Sequence, residues 1–208
     1  MFEMFAVRHG QSVANEKNVI QGQTSTPLSE LGLKQAAALG KRLVNVRFDA
    51  VYSSDLERAM QTARFAAPYM EPIPCVELRE WNLGIFQGLT RAQVEERYPD
   101  VWKDFLNGAP DFRIPEGENS AEVHARVVGF LKRLEAEVSG GRILVVSHCG
   151  AIRSMLKYIL GMTNAWPISP QVTNTAICRL LFKDGLWQLA TWNDTAHLDG
   201  LMPTAGNY

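Results

Sequence analysis

Apolar residues fill Phe2 to Val7 almost without a break and give way abruptly to Arg8-His9-Gly10. That pattern predicts a buried strand whose carboxyl end delivers polar side chains to a loop. A polar stretch, Gln11 to Thr26, follows, with Gly22 and Pro27 as punctuation. From Ser29 the spacing of Leu31, Ala38, Leu39 and Leu43 predicts an amphipathic helix to about Val44, capped by Ser29. Asp49 to Ser53 reads as a second strand, and Leu56 to about Tyr69 as a helix stopped by Met70-Glu71-Pro72. Glu80 to Gly88 lacks periodicity and reads as irregular, while Thr90 and Gln93 form a capping box for a short helix. Asp111 to Asn119 is a loop, and Ser120 is expected to cap a long amphipathic helix to about Val138.

Arg142 to Ser147 is the clearest strand, a continuous apolar run of the buried parallel type. It too ends on a histidine, His148, and is followed by Gly150 and a helix from about Ala151 to Leu160. Near the end, two strand-like runs flank Lys183-Asp184-Gly185, a hairpin signal. Strands alternating with helices predict an α/β fold, a three-layer α/β/α sandwich around a mostly parallel sheet. With 208 residues, no repeat and no linker, the chain reads as one domain over 1–208. Residues 81–118 form the expected helical insertion over the active site. In such folds ligands sit at the carboxyl ends of strands, where Arg8-His9 and His148 both fall.

Composition narrows the function classes. Hydrophobic residues at 46% and charged residues at 21% are ordinary for a globular protein. A formal net charge of -1 excludes a non-specific nucleic-acid or membrane-surface binder, which needs a basic surplus, but leaves room for a local basic pocket. Cys75, Cys149 and Cys178 are scattered with no CxxC, as expected of reduced thiols in the cytoplasm. The apolar start contains Glu3 and lacks a basic n-region, so it is not expected to be a signal peptide. No apolar run approaches the roughly 20 residues of a membrane span. The four histidines show no metal-ligand spacing, so neither metal nor cofactor is expected.

Two histidines at equivalent strand ends carry the chemistry. A single histidine there is most simply a packed or solvated residue; a pair, one preceded by Arg and both close to Gly, points to a site. Gly10 and Gly150 permit close backbone approach to a ligand, and the helix starts beside them offer N–H groups to an anion. Arg58 lies in the first turns of the helix after the second strand. It either pairs with Glu57 or Asp55 on the surface or faces the same strand-end cavity as Arg8. In the second case two guanidinium groups and two imidazoles surround one cavity, a set suited to a phosphoryl group.

These residues resemble the histidine phosphatase superfamily, its phosphoglycerate-mutase-like branch, over nearly the whole chain. The matching pieces are Arg8-His9-Gly10 with Asn15, Ser53-Ser54-Asp55-Leu56-x-Arg58-Ala59-x-x-Thr62-Ala63, Leu78-Arg79-Glu80 with Gly84 and Gly88, and Ser147-His148-x-Gly150. The resemblance implies that His9 is the nucleophile forming a phosphohistidine. It implies that Arg8, Arg58 and His148 hold the phosphoryl oxygens and that Glu80 gives a proton to the leaving group. Asn15, Gln21 and Gly22 would line the near side of the phosphate site, and Thr175 would add a contact from the far side. His9 attacks only as neutral imidazole, a form that neighbouring arginines favour. Glu80 needs a raised pKa, which partial burial and the bound substrate dianion would supply.

Some residues depart from that pattern or read two ways. Thr26 stands before Pro27-Leu28-Ser29, where many relatives carry an acidic residue, which leaves the geometry of that loop open. His124 falls in mid-helix and reads as structural, and Cys149 reads as a small packed residue. His197 either lines the site or is structural. Trp81, Phe86, Trp102 and Phe105 either pack the insertion over the sheet or line the substrate mouth; as a lid they would call for an apolar or ring-shaped substrate portion.

The reading reached is a phosphatase for a small phosphorylated metabolite, whose identity the sequence leaves open. The alternative is a cofactor-dependent phosphoglycerate mutase. In mutases the proton donor is followed by Arg-His-Tyr, whereas Glu80 is followed by Trp81-Asn82-Leu83, and their long basic insertion is missing. An inactive module binding phosphorylated ligands would have lost His9, His148 or Glu80, and all three are present. Neither nucleic acid nor membrane is expected as a partner, and a homodimer is left open as the assembly.

Overall fold

The computed structural model describes residues 1–108, 111–162 and 170–201. The apolar run at the start of the chain forms β1 (Phe2–Arg8). It pairs parallel with β4 (Gly141–Ser147) on one side and antiparallel with β5 (Ile177–Lys183) on the other. Beyond β4 lie β2 (Ala50–Ser53) and β3 (Ile73–Pro74), both parallel; beyond β5 lies β6 (Leu186–Asp194), antiparallel. The six-stranded order is therefore β3-β2-β4-β1-β5-β6. The sheet is mixed, with parallel pairing from the β3 edge through β1 and antiparallel pairing beyond it, and the hairpin turn has positive φ at both Asp184 (53°) and Gly185 (79°). Those angles give a two-residue turn of the type whose twist matches paired strands.

Alternation along the central strands assigns the layers. Phe2, Met4 and Ala6 of β1, with Ile143 and Val145 of β4, face α6 (Ser120–Glu137) and α7 (Cys149–Ile159). Phe5, Val7, Leu144 and Val146 face the opposite way, toward α2 (Glu30–Leu43) and α3 (Glu57–Ala66). A strand buried on both faces must be apolar at every position, which is why β1 and β4 read as continuous runs rather than alternating ones. The fold is the three-layer α/β sandwich expected.

Local differences from expectation have identifiable causes. α6 is capped by Asn119 rather than Ser120: the Asn119 side chain accepts the Glu122 N–H, and Glu122 accepts the Asn119 N–H. α7 starts at Cys149, two residues early, with His148 as its N-cap residue. α3 ends at Ala66, because Ala67 leaves the helical region (φ -140°). Residues 81–118 contain two helices, α4 (Arg91–Arg97) and α5 (Pro99–Asn107). Pro99 excludes Tyr98 from helical geometry and opens the second helix at its first turn. Phe86, Val94, Trp102 and Ile114 of this segment pack with Ile20 into a cluster separate from the two sheet-facing ones. A four-residue helix, α1 (Val13–Glu16), follows β1 and was not evident from periodicity. Among the described residues no helix is long and apolar enough to cross a membrane.

Candidate active site

The ladder of β1 continues one residue past the strand, where His9 N–H donates to Ser147 O at 2.9 Å. Asn174 Nδ2 donates to His9 O at 2.9 Å, and Gly10 N donates to Thr62 Oγ1 at 3.0 Å. The Thr62 hydroxyl in turn donates to Arg58 O at 2.7 Å, so one side chain joins the loop after β1 to α3. A Cβ at Gly10 would fall 2.7 Å from Gly32 O, so the first turn of α2 excludes any larger residue there. The His9 ring is fixed by its Nδ1, 2.7 Å from Gly10 O. A carbonyl only accepts, so Nδ1 carries the ring hydrogen and Nε2 presents its lone pair. Burial, and then the charges of Arg58 and Arg8, hold the His9 pKa well below the ordinary histidine value. Burial thus outweighs the arginines that sequence reasoning credited.

Arg58 is fully buried and donates through Nε to His9 Nε2 at 3.3 Å. Its Nη1 and Nη2 donate to Thr24 O at 2.9 Å and Gly22 O at 2.8 Å. Burial pushes its pKa down to about 10, which still leaves it charged at neutral pH. Arg8 donates through Nη1 to Val172 O at 2.6 Å, while its buried Nε has no partner among the described residues. His148 sits with its ring centre 5.0 Å from that of His9, its Nε2 2.8 Å from Ser54 Oγ. Ser54 Oγ also accepts the Leu56 N–H at 3.3 Å. His148 Nδ1 is buried and unpartnered among the described residues. Burial, then Arg58, His9 and Arg8, hold His148 neutral as well. The unpartnered buried donor on Arg8, beside Arg58, is what an oxyanion requires.

Glu80 reaches this cluster from the loop that follows a 3-10 turn at Val76–Leu78. Its Oε1 accepts from Trp81 N at 2.9 Å and from Gly150 N at 3.1 Å, the first turn of α7. A Cβ at Gly150 would lie 2.4 Å from Glu80 Oε1, so glycine is needed for the carboxylate to dock. The loop is clamped from α6: Arg126 donates to the carbonyls of Glu77 (2.9 Å), Arg79 (2.6 Å) and Glu80 (2.9 Å) while pairing with Glu118 at 2.8 Å.

Arg8, His9, Asn15, Gln21, Gly22, Arg58 and Glu80 line one cavity of about 420 Å³. Asn15 Oδ1 accepts from Ser12 N at 3.2 Å and Gln21 Oε1 from Ser12 Oγ at 2.7 Å, which leaves their NH₂ groups as the donors available to a ligand. His148 and Gly10 stand behind the wall, in contact with His9. Thr175 also lies behind it, in a left-handed conformation (φ 58°) with its N–H on Arg8 O at 2.9 Å. His197 Nε2 is 3.2 Å from Thr175 Oγ1 and likewise does not line the cavity. His124 Nδ1 is 3.0 Å from Ser154 Oγ. Cys149 does line the cavity, with burial pushing its thiol pKa up, away from the reactive thiolate. Trp81, Phe86, Trp102 and Phe105 all line it too.

Sequence reasoning carried Ser54 and Thr62 only as members of a motif and gave no role to Asn174 or Arg126. Thr62 holds the Gly10 N–H, Ser54 meets His148, Asn174 holds the His9 carbonyl and Arg126 the Glu80 loop, through hydrogen bonds between distant segments for which a sequence offers no spacing signal. Arg153 and Lys157 on the cavity wall did carry one: with Gly150 and Ser154 they follow the i, i+3, i+4, i+7 spacing of one helix face.

The family model of the histidine phosphatase superfamily (branch 1) matches residues 4–195. A Yersinia pestis (strain Pestoides F) protein named "Probable phosphoglycerate mutase GpmB" is 31% identical over 206 residues, covering 96% of each chain. A mycobacterial glucosyl-3-phosphoglycerate phosphatase solved with VO3 superposes with TM-score 0.84 at 30% identity, covering 94% of this chain and 100% of its own. A phosphoserine phosphatase mutant from Entamoeba histolytica, solved with phosphoserine, gives TM-score 0.85 at 27% identity, covering 95% and 100%.

Proposed function

We propose that this chain, which belongs to the histidine phosphatase superfamily (branch 1), hydrolyses small phosphomonoesters through a phosphohistidine on His9, without a metal. The observation that carries the reading is the His9 ring itself. Its Nδ1 is tied to Gly10 O, and its Nε2 lone pair is held beside the buried Arg58, with Arg8 and His148 at hand.

Nε2 attacks phosphorus, and the bond from phosphorus to the ester oxygen breaks. The Glu80 carboxyl gives its proton to that oxygen, and the alcohol departs. Water then attacks the phosphohistidine and loses a proton to the Glu80 carboxylate; the phosphorus–nitrogen bond breaks, and inorganic phosphate leaves. Arg8 and Arg58 supply the charge stabilisation that a metal gives in other phosphoryl-transfer sites, with the neutral His148 packed behind His9. His9 begins and ends neutral, as its buried position requires.

The phosphoglycerate mutase reading is favoured by the 31% identity to the Yersinia protein. Two features weigh against it. Glu80 is followed by Trp81-Asn82-Leu83, and the cavity is walled by four aromatic rings. The short, polar body of a phosphoglycerate leaves those rings with no apolar group to cover. The test is a panel of phosphomonoesters with chelator present, beside a 3-phosphoglycerate isomerisation assay. Chelator-resistant release of phosphate is expected. Loss of activity with chelator contradicts the metal-free mechanism, and efficient formation of 2-phosphoglycerate contradicts the hydrolase reading.

A further inference from the structure

Among the described residues, the Glu80 carboxylate takes its hydrogen bonds from two backbone donors, Trp81 N–H and Gly150 N–H. Its place in the cavity therefore follows the path of its own main chain. Residues 79–83 belong to no helix or strand, so that path must be held by other groups. Four successive carbonyls are taken by side chains. Ser147 Oγ donates to Leu78 O at 2.7 Å. Arg126 takes the other three, Glu77 O and Arg79 O through Nη1 and Glu80 O through Nη2. Its Nε and the second Nη2 hydrogen go to the two Glu118 oxygens, at 2.8 and 3.1 Å.

All five N–H groups of the Arg126 guanidinium are thus engaged, in the fixed fork that this side chain alone provides. The side chains of Arg126 and Glu118 are only 18% and 20% exposed, so water competes little for these bonds. Glu118 carries the frame on to the substrate mouth. Its Oε2 accepts the Asn82 N–H at 2.8 Å, and its main-chain oxygen accepts the Trp81 Nε1 hydrogen at 2.8 Å. Gln23 Nε2 donates to Glu80 O at 3.0 Å and ties in the loop whose Gly22 and Thr24 carbonyls anchor Arg58. Arg126 itself does not line the cavity, so any effect on the reaction passes through the groups it holds.

We propose that Arg126, paired with Glu118, is the positioning residue for the Glu80 carboxyl. It seats that group so that its proton reaches the ester oxygen as the phosphorus–oxygen bond breaks. The inference rests on the phosphatase reading for the proton transfer, and not for the seating itself. Lysine keeps the charge but has three donors and no fork, so it cannot hold three carbonyls and a carboxylate together. An alcohol needs that proton to leave, whereas a nitrophenolate departs without one. A misplaced Glu80 therefore slows an alkyl ester far more than a nitrophenyl ester.

The test compares wild type, Arg126→Lys, Glu118→Gln and Glu80→Gln in two measurements. The first is the rate of phosphoenzyme formation from an alkyl phosphate and from nitrophenyl phosphate. Arg126→Lys is expected to lose on the order of 100-fold with the alkyl ester and less than about threefold with the nitrophenyl ester, within the limit that Glu80→Gln sets. A role in stability alone lowers both rates by one common factor. The second is the NMR shift of the Gly150 amide proton, which follows its hydrogen bond to Glu80 and needs no reaction. It should move toward the Glu80→Gln position in Arg126→Lys and less far in Glu118→Gln, which serves should the lysine variant fold poorly. A Gly150 shift unmoved in both variants overturns the positioning role. So do equal rate losses with the two esters where Glu80→Gln discriminates between them. No hydrolysis by wild type, or a Glu80→Gln protein with no preference between the esters, overturns the phosphatase reading instead, and the Gly150 shift then decides the seating alone.

Discussion

The proposed nucleophile, His9, owes its state to its surroundings more than to its own chemistry. An imidazole in water is partly protonated near neutrality, whereas burial with two guanidinium groups beside it keeps His9 neutral. His148 shares that state for the same reasons. Both folded-state values lie below the ordinary histidine pKa, so in acid the unfolded chain binds protons that the native chain refuses. Stability is therefore present above about pH 6.5 and is lost as pH falls from there toward the folded values. Urea unfolding between pH 7.5 and 5 should show this decline, and His9→Gln should lessen it while leaving the part that comes from His148; a wild-type protein equally stable at both ends refutes the assignment. The sequence made His9, Arg8, Arg58 and His148 legible because they fall at strand ends and a helix start, and Glu80 only through the family resemblance. It could not show that Ser54 meets the His148 ring, or that Thr62 holds the Gly10 N–H, since those contacts depend on which segments meet. Thr62→Val removes the acceptor for the buried Gly10 N–H and should cost about 1–3 kcal/mol of stability and lower kcat; an unchanged kcat denies Thr62 its positioning role.

Helix α7 does three things at once. Its N-cap residue is His148, its first turn binds Glu80, and its outward face carries Arg153 and Lys157. That arrangement depends on Gly150. Gly150→Ala puts a methyl group 2.4 Å from Glu80 Oε1, which displaces the carboxylate. A misplacement of about 1 Å can cost on the order of 100-fold, so kcat should fall steeply while Kd for a phosphonate changes little. A Gly150→Ala protein with unimpaired kcat contradicts the placement of Glu80. Elsewhere, elements with long unbroken signals were legible: β1, β4, α2 and the turn at Asp184-Gly185. Where two adjacent residues could both cap, periodicity did not decide, and Asn119 rather than Ser120 took the position because its side chain pairs reciprocally with Glu122. α5 went unread although Pro99 marks its start, because the short apolar spacing around it did not separate from the irregular segment before it.

At the scale of the molecule, a sheet gathers the reacting groups and the segment 81–118 builds the far wall. Strand order was not legible: β1 lies beside β4, more than a hundred residues on, and no local pattern encodes that neighbour. The helical character of 81–118 was partly readable, but whether its aromatic residues packed inward or lined the mouth was not, because both roles need the same residue types. Trp102 does both, being 8% exposed, packed against Phe86 and in the cavity wall. Phe105→Ala should accordingly raise KM severalfold for aryl phosphates and much less for a short aliphatic phosphate; equal effects on both would remove the rings from substrate recognition.

The account as a whole turns on one covalent species. A rapid acid-free quench of the protein with a ³²P-labelled aryl phosphate, followed by peptide mapping, should find label on His9 that is stable in alkali and lost in acid. The label should chase into inorganic phosphate, and His9→Ala should abolish both the label and turnover. Turnover without such a label, label at another residue, or substantial hydrolysis by His9→Ala contradicts the account.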